Sequence, residues 1–211
     1  MKSYILIIWT ALMMASCTVD EEIRTDTAEL EATLLRVPNG FDEIVWPEDN
    51  AFTVDRWRLG QRLFFDPMMS IDSTVSCASC HNPSDAFADI VAISPGVEDR
   101  LGERNSPSLA NVAFLPHLLR EGGVPTLEQQ VLVPINEHAE LANNILVIAE
   151  RMNRDSAYVV ASKISYERLP DPYVIGRALA TYQRTLISGQ SAYDRYTYQD
   201  DADAMTDIEL R

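Results

Sequence analysis

Cys77, Cys80 and His81, in the run Cys77-Ala78-Ser79-Cys80-His81, are the residues in this chain whose types and spacing most directly imply chemistry. Cys-x-x-Cys-His is the attachment pattern of c-type haem. Two thiols three positions apart can each add to one porphyrin vinyl group as a thioether. The residue after them then sets an imidazole nitrogen against the iron as proximal ligand, a role that suits a neutral histidine. Zinc, a redox dithiol and a structural disulfide are the competing uses. Zinc needs a second ligand pair, and only His117 and His138 remain to supply it. A redox dithiol wants a strand before it and a helix start after it, and Thr74-Val75-Ser76 is a weak strand. Haem accounts for the histidine as well as for both sulfurs. A simple electron carrier would add a second axial ligand, usually Met or His. Met68 and Met69 precede the motif and Met152 follows it, but Met152 lies on an amphipathic pattern and reads as core.

The elements that must hold this motif are mostly helical. An apolar 3.6-residue period predicts a helix over Val54–Phe65, stopped by Asp66-Pro67. Residues 66–108, punctuated by Pro and Gly, read as loop. Thr126 and Gln129 form a capping box opening a short helix over Thr126–Val133. Further helices are expected over Glu140–Met152, Asp155–Ile164 and Asp171–Ser188. No sustained period-two alternation occurs, so the fold class is mostly α, a c-type cytochrome-like helical domain with long loops around a covalently bound haem.

The ends of the chain read differently. Residues 1–16 carry one Lys before an apolar run and then small residues, a secretory leader too short to span a bilayer. Met14-Ala15-Ser16-Cys17 resembles a bacterial lipobox, which makes Cys17 a candidate lipidation site; an ordinary leader with an incidental cysteine is the alternative. Lipid there would tether the protein to a membrane on the periplasmic side of a bacterial envelope. Residues 17–50 read as a tether to about Thr33 followed by an extended lead-in, and residues 51–205 as the haem domain. Thr206-Asp207-Ile208-Glu209 is a second capping box, so residues 206–211 read as the start of a further domain. With 17 Lys+Arg against 32 Asp+Glu, the net charge of −15 excludes a nucleic-acid binder, which needs basic residues to displace counterions. It suits a basic partner or a donor steered by charge.

The ordered runs Leu59-Gly60-Gln61-Arg62-Leu63-Phe64-Phe65-Asp66-Pro67, Ser76 to Pro83, Ala86-Phe87 with Asp89, Ser94-Pro95-Gly96-Val97, Arg104 to Asn111, Leu127-Glu128-Gln129-Gln130, Pro134-Ile135 and Glu140-Leu141 carry a resemblance. Together they resemble the bacterial di-haem cytochrome c peroxidase family, which also includes a methylamine-dehydrogenase maturation enzyme. The resemblance implies that hydrogen peroxide is reduced to water with electrons from a small donor such as a cytochrome c. It implies haem c here and a second haem in a following domain, and it admits a homodimer. By position, His81 is the proximal ligand of the peroxidatic haem, Glu140 the catalytic acid–base group, Gln130 its polar partner, and Asn105 a ligand of a calcium ion. The chemistry is consistent with those roles: O–O heterolysis needs a group that moves a proton from one oxygen to the other, and a hard cation prefers a carbonyl oxygen. Taken alone, Glu140 and Gln130 would read as solvated surface groups.

Two departures from the family pattern stand out. Val97 occupies the place where some members carry a distal histidine, and Arg120 the place of a tryptophan often found there, which puts an electron route through that indole in doubt. His138 and His117 take no role from the resemblance. An electron-transfer cytochrome without peroxidase activity and a maturation-type oxidase acting on a protein partner are the alternatives.

Overall fold

Thr53 starts the first long helix of the main body by accepting a hydrogen bond from the Arg56 backbone N–H through its hydroxyl. That helix, α2, runs over Val54–Phe65 with the bounds its periodicity predicts, and Asp66-Pro67 ends it. The computed structural model describes residues 26–211; the leader and Cys17 lie outside them. The chain divides into two compact units, Met1–Arg36 and Val37–Arg211.

In the first unit residues 26–34 are helical, α1, within the stretch read as a tether. Ala28, Glu29, Leu30, Glu31 and Ala32 are strong helix formers.

In the second unit α3 (Cys77–Cys80), α4 (Leu127–Gln130), α5 (Leu132–Asn136), α6 (Ile145–Arg154), α7 (Ser156–Tyr166), α8 (Pro172–Arg184) and α9 (Ala192–Tyr198) follow α2. No β-strand occurs among the described residues. The long loops are instead pinned by three isolated antiparallel bridges, Asn82 with Ala88, Pro95 with Leu101 and Leu118 with Val124. Asn144, Asp155 and Asp171 cap α6, α7 and α8 through their side chains. The single helix expected over Thr126–Val133 is two short ones. Pro134 has no N–H to give to Gln130, so the helical ladder breaks between them. Helix α9 had no counterpart among the expected elements.

The core lies where α2 packs on α8 and α7, with Leu59, Leu63, Phe64, Ile148, Met152, Val174, Ile175 and Leu179 fully buried. Met152 is thus core, as its amphipathic spacing suggested. Gly60 permits the close α2–α8 approach: a Cβ there would stand 1.9 Å from the Ala178 carbonyl oxygen. Gly60→Ala should therefore destabilise the chain, because the helices must separate to admit a methyl group. Overpacking of this kind costs about 1–3 kcal/mol, which urea unfolding would register as a lower midpoint at unchanged slope.

The lead-in, read as extended, is extended only over 42–47, between a turn at Asn39-Gly40 and a 3-10 turn at Glu48–Asn50, and it belongs to the second unit. Asn50 is fully buried, donating to the Glu128 carboxylate at 2.8 Å and the Arg177 carbonyl at 3.1 Å. Tyr166 and Thr181 each donate to its carbonyl oxygen at 3.2 Å. At the other end the Thr206–Glu209 box forms: the Thr206 N–H donates to the Glu209 carboxylate at 2.8 Å, and the Glu209 N–H returns to the Thr206 hydroxyl at 3.4 Å.

Candidate active site

The haem motif is one helical turn. Ser76 and Ser79 cap each other's backbone at its start, and the His81 N–H closes it on the Cys77 carbonyl at 2.9 Å. Both cysteines are unpaired. Burial pushes the Cys77 thiol up to about 12, and the Cys80 and Glu140 charges add to it. Burial likewise raises Cys80. Both sulfurs are therefore protonated at neutral pH, which does not favour the reactive thiolate of a redox dithiol.

His81 is oriented by the loop that follows it. Its Nδ1 lies 2.9 Å from the Phe87 carbonyl. A carbonyl only accepts, so Nδ1 carries the proton and the Nε2 lone pair is left for a metal. Burial also holds the imidazole below its ordinary pKa, in the neutral state a ligand needs. The Phe87 carbonyl reaches this position because the chain turns back on itself at Ala86 (φ 54°) and Phe87 (φ 58°). Left-handed backbone at non-glycine residues costs about 1–3 kcal/mol each. The Phe87 N–H offsets part of this by donating to the Asn82 carbonyl at 2.8 Å.

Glu140 does not open a helix, contrary to expectation. It sits in the tight turn between α5 and α6. Leu141 is buried, with its N–H on the Pro134 carbonyl at 3.3 Å; Ala142 is left-handed (φ 47°); and Asn144 delays the cap of α6. Two loops hold this turn. The Val97 N–H donates to the Glu140 carbonyl, and the Ile71 N–H to the Leu141 carbonyl, each at 3.0 Å. Gly96 lies so close that a Cβ would stand 2.1 Å from the Ala139 carbonyl oxygen. Val97 itself is fully buried. The same loop reaches the haem motif, where the Cys80 thiol lies 4.0 Å from the Pro95 carbonyl. Glu140 is exposed as a residue, but protein around its carboxyl strips enough water to raise its pKa, and Glu137 raises it further.

The other candidates divide. Gln130 ends α4, partly buried, and its side chain makes no hydrogen bond to Glu140, Cys77, Cys80 or His81. Asn105 is exposed, and its side-chain oxygen accepts from the Arg120 guanidinium. A cation already on that oxygen is a poor neighbour for calcium, and no cluster of three His, Cys, Asp or Glu able to hold a metal occurs among the described residues. The oxygen that Asn105 would offer a calcium ion between two domains is held by Arg120 in this arrangement. His138 and His117 are exposed; the His138 carbonyl accepts from Arg100 at 3.2 Å.

Arg151 had no signal in the sequence beyond its place near the end of an amphipathic helix. Its guanidinium donates to the carbonyls of Met68, Ser70 and Ile71, each at 2.6 Å, while the Asn143 amide donates to the Met69 carbonyl at 2.8 Å. These bonds fasten the loop before the haem motif to the turn that carries Glu140. Asp89 lies beside the motif, one residue past the Ala88 that bridges to Asn82, and accepts from the Ser94 hydroxyl at 2.6 Å.

The sequence profile of the family described as Di-haem cytochrome c peroxidase matches residues 54–203. Methylamine utilization protein MauG of Methylorubrum extorquens is 30% identical over 190 residues, covering 89% of this chain and 52% of its own length. Cytochrome-c peroxidase IdrP1 of a Pseudomonas species is 32% identical over 198 residues, covering 90% of this chain and 50% of its own length. The crystal structure of a MauG-like protein associated with microbial copper homeostasis matches with a TM-score of 0.75 at 27% identity, over 82% of this chain and 52% of that one. The chain spans about half the length of the curated relatives it matches.

Proposed function

The chain belongs to the di-haem cytochrome c peroxidase family, and on that premise we propose that it binds haem c through Cys77, Cys80 and His81 and reduces hydrogen peroxide to water with electrons from a small donor such as a cytochrome c. The residues fit the group: two unpaired thiols on one turn, and an imidazole whose outer nitrogen is protonated onto a backbone carbonyl. Bound there, haem supplies an iron that takes peroxide and passes two electrons to it.

The remaining work falls to the chain. The Glu140 carboxylate accepts the proton of one peroxide oxygen and returns it to the other as the O–O bond breaks, so that two electrons and two further protons yield two water molecules. The observation that carries this reading is that one loop joins the motif to the Glu140 turn: the Cys80 thiol lies 4.0 Å from the Pro95 carbonyl, and the Val97 N–H two residues on donates to the Glu140 carbonyl at 3.0 Å. Gln130 can hold peroxide or water without titrating; its support is the family match and its place one short helix before the Glu140 turn. The net charge of −15 favours a donor with a basic docking face. Similarity to MauG proteins supports a second reading, an oxidase acting on a protein partner at the same haem. The leader and the Met14-Ala15-Ser16-Cys17 run support a periplasm-facing, lipid-anchored location.

The test is to produce the chain with a c-type maturation system, record its pyridine haemochrome spectrum and mix it with hydrogen peroxide. A covalent haem whose absorption changes rapidly with stoichiometric peroxide is expected. Haem that ignores peroxide would leave an electron-transfer cytochrome, and a chain that takes up no covalent haem would end the proposal.

A further inference from the structure

The bridge between Asn82 and Ala88 is antiparallel and isolated, with His81 just before one bridged residue and Asp89 just after the other, so Asp89 lies beside the haem motif. The carboxylate is held in place. The Ser94 hydroxyl donates to Asp89 Oδ2 at 2.6 Å, and the Val91 N–H to Oδ1 at 3.3 Å. The Ser106 hydroxyl lies 2.8 Å from that of Ser94. Three loop segments therefore meet at one carboxylate beside the haem motif. The Ser94 hydrogen bond also keeps the group ionised well into the acid range.

Asp89 is not the hydrogen-bond partner of the imidazole, because Nδ1 is taken by the Phe87 carbonyl. What it offers His81 is a fixed negative charge. We propose that Asp89 is a positioning residue that acts through His81: its carboxylate, fixed beside the haem motif by Ser94, favours the more positive, oxidised state of the bound iron and makes that iron harder to reduce. A charge near a redox centre stabilises the oxidation state of opposite sign, and surroundings of the ligands are a main lever on haem potential. The inference rests on the haem reading above. Its rival is that Asp89 merely ties the three loops together.

Spectroelectrochemical titration of the haem-loaded chain separates the two. Asp89→Asn should raise the midpoint potential. Poised at the wild-type midpoint, the variant should then hold about threefold or more reduced over oxidised haem. Asp89→Glu, which keeps the charge, should return close to wild type. Ser94→Ala, which keeps the charge but releases its anchor, should move the potential in the same direction as Asp89→Asn by less. If Asp89→Asn does not retain haem, the Ser94→Ala shift decides. An unchanged potential in Asp89→Asn overturns the proposal, and so does an equal shift in Asp89→Glu, which would mark a loop clamp rather than a charge. A wild-type chain without a haemochrome band would instead remove the haem reading itself.

Discussion

Replacing Glu140 by Gln should slow the reaction of the haem-loaded chain with hydrogen peroxide by about 10²–10⁴-fold, the usual contribution of a positioned proton-transfer group. The amide keeps the shape of the side chain and its backbone bonds to Val97, and loses only the ability to take up a proton. The pH dependence supplies a second signature. Burial, and then Glu137, hold the Glu140 carboxyl above its ordinary 4.5. Below that raised pKa the group is protonated and cannot act as base. The wild-type rate should fall on the acid side with a midpoint above 4.5, and that limb should vanish in Glu140→Gln. The stability change has the opposite sign. A carboxyl whose folded pKa exceeds its unfolded value destabilises the fold as pH rises through that interval. Glu140→Gln should therefore melt no lower than wild type at neutral pH. Stopped-flow rates from pH 4 to 8 with a melting curve check all three, and an unchanged rate removes Glu140 from the mechanism.

The largest expected loss of stability is at Glu128, in the run Leu127-Glu128-Gln129-Gln130. Its carboxylate takes both terminal nitrogens of Arg184, at 2.6 and 2.8 Å, and the Asn50 amide at 2.8 Å. The side chains are 14% and 7% exposed. Glu128→Ala leaves the Arg184 guanidinium buried without a counter-charge and should cost about 3–5 kcal/mol. That is a large share of the roughly 5–15 kcal/mol by which domains of this kind are stable. Burial pushes the Glu128 carboxyl up, but the Arg184 and Asn50 hydrogen bonds outweigh it and hold the pKa below the ordinary value. The stabilisation is thus complete above the unfolded carboxyl pKa and is lost as pH falls through the lowered folded one. Urea unfolding at pH 7 and at acid pH should show the wild-type advantage shrink, and a variant within 1 kcal/mol of wild type at pH 7, on the order of a surface pair, would show that the pair contributes little.

Where periodicity and caps are strong, the chain is legible. The bounds of α2, and the Asp155 and Asp171 starts of α7 and α8, follow from side-chain caps and a 3.6-residue apolar face. The start of α6 does not. Leu141 and Ile145 fit that face equally well, so the period runs back to Glu140, while the left-handed Ala142 and the Asn144 cap place the helix start at Ile145. Asn105 shows the same limit. Its oxygen suits a hard cation by type, but only the folded loops bring the Arg120 guanidinium to it.

The amino-acid sequence alone carried the haem reading, because the spacing of the two cysteines and the adjacent histidine is set within five consecutive residues. It also determined the helical class, since periodicity and capping act over one or two turns. Only the tertiary structure decided what stands around that motif. The approach of Gly96 and Val97 to the Glu140 turn, the Arg151 clasp from α6 on the Met68–Ile71 loop and the anchoring of Asp89 by Ser94 all fasten loop segments to partners distant in the chain or on other elements. Contacts of that kind follow from packing and from finding partners for buried polar groups, and they leave no repeating pattern along the chain.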